Sequence, residues 1–255
     1  MCDSCGCSQP ENSVTITRPG EVGSGPGVAD HHHSHQSYRA QGRVVEVREA
    51  VLGKNDGIAA HNREFFKERR IVALNLVSSP GSGKTTILER TIRELRRDIP
   101  MAVIEGDQQT MLDAERIDAT GVDVVQVNTG AGCHLDADMV HQALHRMEPA
   151  ENSLLFIENV GNLVCPAMFD LGEAAKIVII SVTEGEDKPL KYPAMFDAAS
   201  LCLINKIDLL PHVDFDVARC REYGLRVNHR LEFFEISART GEGMSGWLDW
   251  LRSQI

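Results

Sequence analysis

Short apolar runs rich in β-branched residues recur along this chain at 71–77, 101–105, 122–127, 153–157, 176–182 and 200–204, with a last one at 233–236. Most are bounded by glycine, asparagine or proline, as buried strands are. Between them, apolar positions at helical spacing predict helices over 86–97, 109–119, 136–147 and 243–252, with Gly121 as a stop signal. Strand and helix alternating in this way predict an α/β fold, a mostly parallel sheet with helices on both faces. Upstream, 44–70 reads as a short extended piece followed by a helix over 55–67, whose Ile58, Ala59, Phe65 and Phe66 would pack on the main domain.

The turn after the first run carries the strongest chemistry. Ser78-Ser79-Pro80-Gly81-Ser82-Gly83-Lys84-Thr85-Thr86 places a glycine-rich loop and Lys-Thr between a strand and a helix, the arrangement of a phosphate-binding P-loop. Glycines let successive backbone N–H groups turn onto a β-phosphate without Cβ clashes, and the helix start adds its partial positive charge. Gly81, Ser82, Gly83 and Thr86 thus belong to the nucleotide cradle. Lys84 would reach the β/γ-phosphates and Thr85 would ligate Mg²⁺. The pattern usually opens with glycine, and Ser78 stands there.

Later strand ends supply further candidates. Asp107, closing the second run, is placed to hold Mg²⁺ or its water shell, the alternative being a plain turn aspartate. Glu158-Asn159-Val160-Gly161 is an acid-x-x-Gly after a strand, where GTPases place the loop that senses the γ-phosphate. Glu158 would face the ion, through water if not directly, and Gly161 would contact phosphate. Asn205-Lys206-Ile207-Asp208 at another strand end reads guanine: Asp208 can accept from the ring N–H and the exocyclic amine together. Asn205 would orient the loop, Lys206 would pack over the base, and the backbone at Ser237-Ala238 would bond the guanine oxygen. Cys133-His134 offers two metal donors at a strand-end loop, and Cys165, just past Gly161, would move with the sensing loop. His141 and His145 fall one helical turn apart, a spacing that can hold metal but is read here as a solvated face.

Composition narrows the field. At 255 residues and 42% hydrophobic content the chain can bury one α/β core plus a tail, and a formal charge of -11 disfavours a nucleic-acid or anionic-membrane surface. No apolar run approaches the roughly 20 residues of a membrane span. The first residues are Cys and Asp rather than a basic, apolar signal, so a cytoplasmic location is expected. Seven cysteines in a reducing compartment point to metal rather than disulfides. Cys2, Cys5 and Cys7 lie on a short glycine-containing turn where no core can form. With the terminal amine they could hold Ni²⁺, with zinc, a redox role or an unused cluster as alternatives. From 8 to 41 the Gly/Pro/Ser/His composition reads as a flexible linker, and His31-His32-His33-Ser34-His35 within it as a loose metal store or a solvated patch. The expected division is a disordered metal-binding tail over 1–42 and a P-loop GTPase domain over 43–255.

With the P-loop, Glu-Asn-Val-Gly-Asn-Leu-Val-Cys-Pro, Asn-Lys-Ile-Asp, Cys-His and the N-terminal Cys-x-x-Cys-x-Cys all present, the chain resembles the HypB family. These are nickel-insertion GTPases of nickel–iron hydrogenase maturation. The resemblance implies a nucleotide-linked homodimer, slow GTP hydrolysis, and Ni²⁺ delivery to the hydrogenase large subunit with a nickel-binding accessory protein. It makes Cys2, Cys5 and Cys7 a high-affinity nickel site, and Cys133, His134 and Cys165 a site for nickel or zinc. A urease-type nickel GTPase and a nickel or zinc store with structural nucleotide are the rival readings.

Overall fold

A computed structural model of the protein describes residues 14–20, 41–107, 111–130 and 132–255, with 41–49 described by backbone alone. In chain order the elements are β1 (Thr15–Thr17), α1 (Gln41–Glu68), β2 (Ile71–Ser78), α2 (Lys84–Leu95), β3 (Met101–Asp107), α3 (Leu112–Asp118), β4 (Asp123–Asn128), α4 (Ala137–Met147), β5 (Ser153–Glu158), β6 (Ala175–Ser181), α5 (Lys188–Lys191), α6 (Pro193–Ala198), β7 (Leu201–Asn205), α7 (Val217–Val227), β8 (Glu232–Glu235) and α8 (Met244–Arg252). The strands form one sheet in the order β1-β4-β3-β5-β2-β6-β7-β8. All neighbours are parallel except β1, which pairs antiparallel with β4. The expected α/β architecture is therefore the one observed.

Alternation along each strand divides the core between two faces. Leu74 and Leu76 of β2 face α2, α3 and α8, in a cluster with Leu88, Ile92, Ile117, Trp247 and Leu251. On the opposite face Ile71 and Ala73 join Phe66 of α1 and Val140, Ala143 and Leu144 of α4, while Val77 joins Met195, Phe196 and Cys220 under α6 and α7. No helix among the described residues is long and apolar enough to cross a membrane.

Two stretches differ from their sequence reading. Residues 44–54, read as extended, belong to the continuous helix α1. Asn55, where the sequence predicts the helix to begin, sits inside α1; its buried amide donates to the Asp170 carbonyl (2.8 Å) and accepts from the Ala137 N–H (2.9 Å). Thr15–Thr17, inside the stretch read as linker, is an edge strand. Arg18 beyond it is paired to Asp123 at 2.6 Å.

Trp247 is the largest fully buried side chain, and its indole N–H donates to Thr91 Oγ1 (2.9 Å) across the α2–α8 contact. Replacing Thr91 by Val would leave that N–H buried without an acceptor, a cost of about 1–3 kcal/mol. Chemical denaturation of T91V should show a loss of that size, and T91S should lose markedly less.

Candidate nucleotide and metal site

Because β2 to β7 run parallel, their C-terminal ends share one edge, the usual ligand edge of an open α/β sheet. The P-loop leaves β2 there. Gly81 and Gly83 take φ of +78° and +92°, a region that L side chains avoid. A Cβ on Gly83 would stand 2.5 Å from Asn205 Nδ2. Ser78, by contrast, is the last residue of β2 and takes no positive φ, so that position does not demand glycine. Asn205 ties the loops together: its amide donates to the Ser82 carbonyl (2.8 Å) and accepts from the Ala238 N–H (3.1 Å). Lys206, at φ +64°, donates to the Gly81 carbonyl (2.6 Å), and Asp208 accepts from Ser237 Oγ (2.6 Å). The five guanine-reading candidates and the phosphate loop are thus one hydrogen-bonded unit.

Lys84 and Thr85 both converge on Glu158. Lys84 Nζ lies 3.2 Å from Glu158 Oε1, and Thr85 Oγ1 donates to the same oxygen at 2.6 Å. Glu158 is 1% exposed, and its Oε2 has no protein partner. An orphaned buried carboxylate oxygen beside a threonine hydroxyl at a phosphate loop suits a hard divalent cation, so Thr85 and Glu158 fit a Mg²⁺ site. Asp107 ends β3, half-buried, opposite Asn128 in the register. Gly161 packs on the P-loop, where an added Cβ would stand 3.2 Å from Pro80 Cγ.

The same edge carries the thiols. Cys133 Sγ lies 3.1 Å from Cys165 Sγ and 3.7 Å from His134 Nδ1, and one donor atom from each of the three residues falls within 4.8 Å of the others. Burial pushes the His134 imidazole below its usual range against the pull of Asp136, leaving it neutral and able to donate a lone pair. Its ring packs on Phe169 with centroids 4.0 Å apart. Lys176, itself buried, donates to the carbonyls of Pro166 (2.8 Å) and Phe169 (3.2 Å), which fixes the chain that follows Cys165. Two cysteine sulfurs and a neutral imidazole form a donor set for a soft or borderline divalent ion. Cys2, Cys5, Cys7 and the His31–His35 tract lie outside the described residues.

Three polar groups escaped the sequence reading. Ser82 Oγ donates to Glu184 Oε1 (2.8 Å), and Lys188 Nζ reaches both Glu184 (2.8 Å) and Ser79 Oγ (2.8 Å), so the turn after β6 braces the P-loop. Glu105 sits opposite Glu158 in the β3–β5 register. Its signal was an acid inside a buried strand, two residues before Asp107 on the same face.

Residues 72–235 match the family model for the CobW/HypB/UreG nucleotide-binding domain, which defines the class: a P-loop nucleotide-binding protein of that group. Over its whole length the chain is 52% identical to the hydrogenase maturation factor HypB of Azotobacter vinelandii, covering 92% of that protein. It is 54% identical over 98% of its length to HypB of Escherichia coli K12, covering 85% of the relative. A crystal structure of Helicobacter pylori HypB in complex with nickel superposes with a TM-score of 0.75 at 40% identity, over 79% of this chain and 94% of that one. The chain belongs to the HypB family of hydrogenase maturation factors.

Burial, then the facing Glu158, raises the Glu105 carboxyl from its usual 4.5 to about 9. The folded chain therefore keeps a proton that the unfolded chain releases above about 4.5. That contribution to stability is whole below about 4.5 and is lost as pH rises through about 9. Thermal unfolding in chelator without nucleotide should show the melting temperature of the unmodified chain falling across that window, and E105Q should flatten the fall.

Proposed function

We propose that this chain is a GTP-hydrolysing metallochaperone that binds nickel and delivers it to nickel–iron hydrogenase during maturation. One observation carries the reading: a single short segment, from Glu158 to Cys165, touches both the phosphate loop and the thiol cluster. At its start Glu158 meets Lys84 and Thr85. Asn159 Oδ1 accepts from the Leu135 N–H (3.1 Å), Gly161 packs on Pro80, and the Asn162 amide donates to the Cys133 carbonyl (3.3 Å). At its end Cys165 stands against Cys133.

In this reading Asn205, Lys206, Asp208, Ser237 and Ala238 select guanine, while Gly81, Ser82, Gly83, Lys84, Thr85 and Thr86 hold the phosphates. Thr85 and Glu158 would hold Mg²⁺, with Asp107 in the water shell, and the ion would supply positive charge against the phosphates. Lys84 gives up its ion pair with Glu158 to reach the phosphate oxygens. Gly161 follows the γ-phosphate, and its movement carries Cys165 relative to Cys133 and His134. The nickel ion held by those three residues is cargo, and zinc competes for the same donors. Three donors leave a tetrahedral set incomplete, so two chains meeting about a two-fold axis would complete it, which makes a homodimer the working assembly. Cys2, Cys5 and Cys7 would hold nickel on the tail, in a reducing cytoplasm. The recipients are a nickel-binding accessory protein and the hydrogenase large subunit. In this reading, turnover without a partner is slow.

Asp208→Asn replaces one of the two carboxylate acceptors with an NH₂ donor facing a guanine N–H, and calorimetry should record at least about a tenfold weaker GTP affinity, the worth of one charged hydrogen bond. The coupling is tested by measuring Ni²⁺ affinity in the C2A chain with GDP and with a non-hydrolysable GTP analogue. About tenfold separation, or roughly 1.4 kcal/mol, is expected; equal affinities would remove the switch.

A further inference from the structure

Three histidines outside this site come together where α1 crosses α4. His141 and His145, one turn apart on α4, have their Nε2 atoms 3.1 Å apart and their rings perpendicular, at 89°. His61 of α1 lies with its ring centroid 5.2 Å from that of His141. In the sequence the α4 pair reads as a solvated face, but His61 and Asn62 change that reading.

Asn62 is wholly buried, and its amide donates both protons, to the carbonyls of Ala137 (2.9 Å) and Leu171 (3.1 Å). Its Oδ1 can then only accept, so His141 Nδ1, at 3.2 Å, carries the hydrogen. The lone pair of His141 is left on Nε2, aimed at His145. A histidine that donates one ring N–H to a fixed carbonyl and presents the other nitrogen is the usual arrangement of a metal-ligating imidazole. Two imidazole nitrogens about 2.0–2.1 Å from one ion, at angles between octahedral and tetrahedral, stand about 2.8–3.4 Å apart. The α4 pair is inside that range, at the i, i+4 spacing of helical zinc ligands. His145 and His61 are exposed, so both rings can turn onto an ion without moving the core. Asn55 and Asn62 pin α1 to the start of α4 through Ala137, which holds the two helices in register.

We propose that His61, His141 and His145 form a second, all-imidazole site for a borderline divalent cation of the Ni²⁺, Cu²⁺ and Zn²⁺ class, separate from the Cys133 cluster. Water completes its coordination. The site uses no thiolate, so it survives oxidation of the cysteines.

The test uses the full chain, with Zn²⁺ as the probe. Equilibrium dialysis should count one more ion per chain in the unmodified protein than in H145A, and H61A should hold that ion at least about tenfold more weakly, the loss that even an outer-sphere partner brings. Imidazole ¹⁵N signals of His141 should shift on adding Zn²⁺, and should not shift in H145A. Both variants alter exposed side chains, and their melting temperatures in chelator should match the unmodified chain. Equal ion counts in H145A and the unmodified protein, or a His141 signal that does not move, would overturn the site. Unchanged affinity in H61A would overturn its third donor.

Discussion

One buried carboxylate organises this molecule. The β2–β5 register pairs Leu76 with Glu158, which brings the last residue of β5 beneath the first turn of α2. Lys84 and Thr85 then meet the same Glu158 oxygen, at 3.2 and 2.6 Å. An unpaired carboxylate at that depth would cost several kcal/mol, so the ammonium and hydroxyl are requirements of the fold. The next strand brings Glu105 opposite Glu158. Burial first, and the facing Glu158 second, push the Glu105 carboxyl up to about 9, so that it keeps its proton at neutral pH.

From Glu158 the chain runs straight into the segment that connects the P-loop with the Cys133 cluster. Asn159 is fixed on three sides: its N–H bonds the Leu76 carbonyl (3.0 Å), its Oδ1 accepts from Leu135, and its amide donates to Asn75 (3.2 Å). Past Cys165 the buried Lys176 holds the carbonyls of Pro166 and Phe169. The segment is anchored at both ends and packed on Pro80 between them. A connector of this kind has few intermediate positions, which suits a two-state response better than graded bending.

The site was legible wherever its chemistry is local. The stretches proposed for phosphate and guanine, Gly81 to Thr86 and Asn205 to Asp208, are contiguous, because such loops are each built by one stretch of backbone. The residues that were not legible act through distant partners. Glu105 is an acid in a strand until β5 lies beside it, and Lys176 is a strand residue until two loop carbonyls close over it. Asn62 settles the His141 tautomer from another helix, seventy-nine positions away in the chain. Edge strand β1 is three residues of Thr-Ile-Thr in a glycine- and proline-rich stretch, and only β4 supplies the partners that make it a strand.

By itself the sequence determined strands β2 to β8 and helices α2, α3, α4 and α8, and it singled out the stretches proposed as phosphate and guanine loops and the candidate donors Cys133, His134 and Cys165. Those follow from periodicity and from backbone geometry over a few residues. The tertiary structure alone decided that two thiols 32 positions apart stand 3.1 Å from one another, and that one carboxylate serves both Lys84 and Thr85. It also decided that α1 and α4 share three imidazoles. Strand register and helix crossing fix such meetings, and neither is encoded within any single window of the chain.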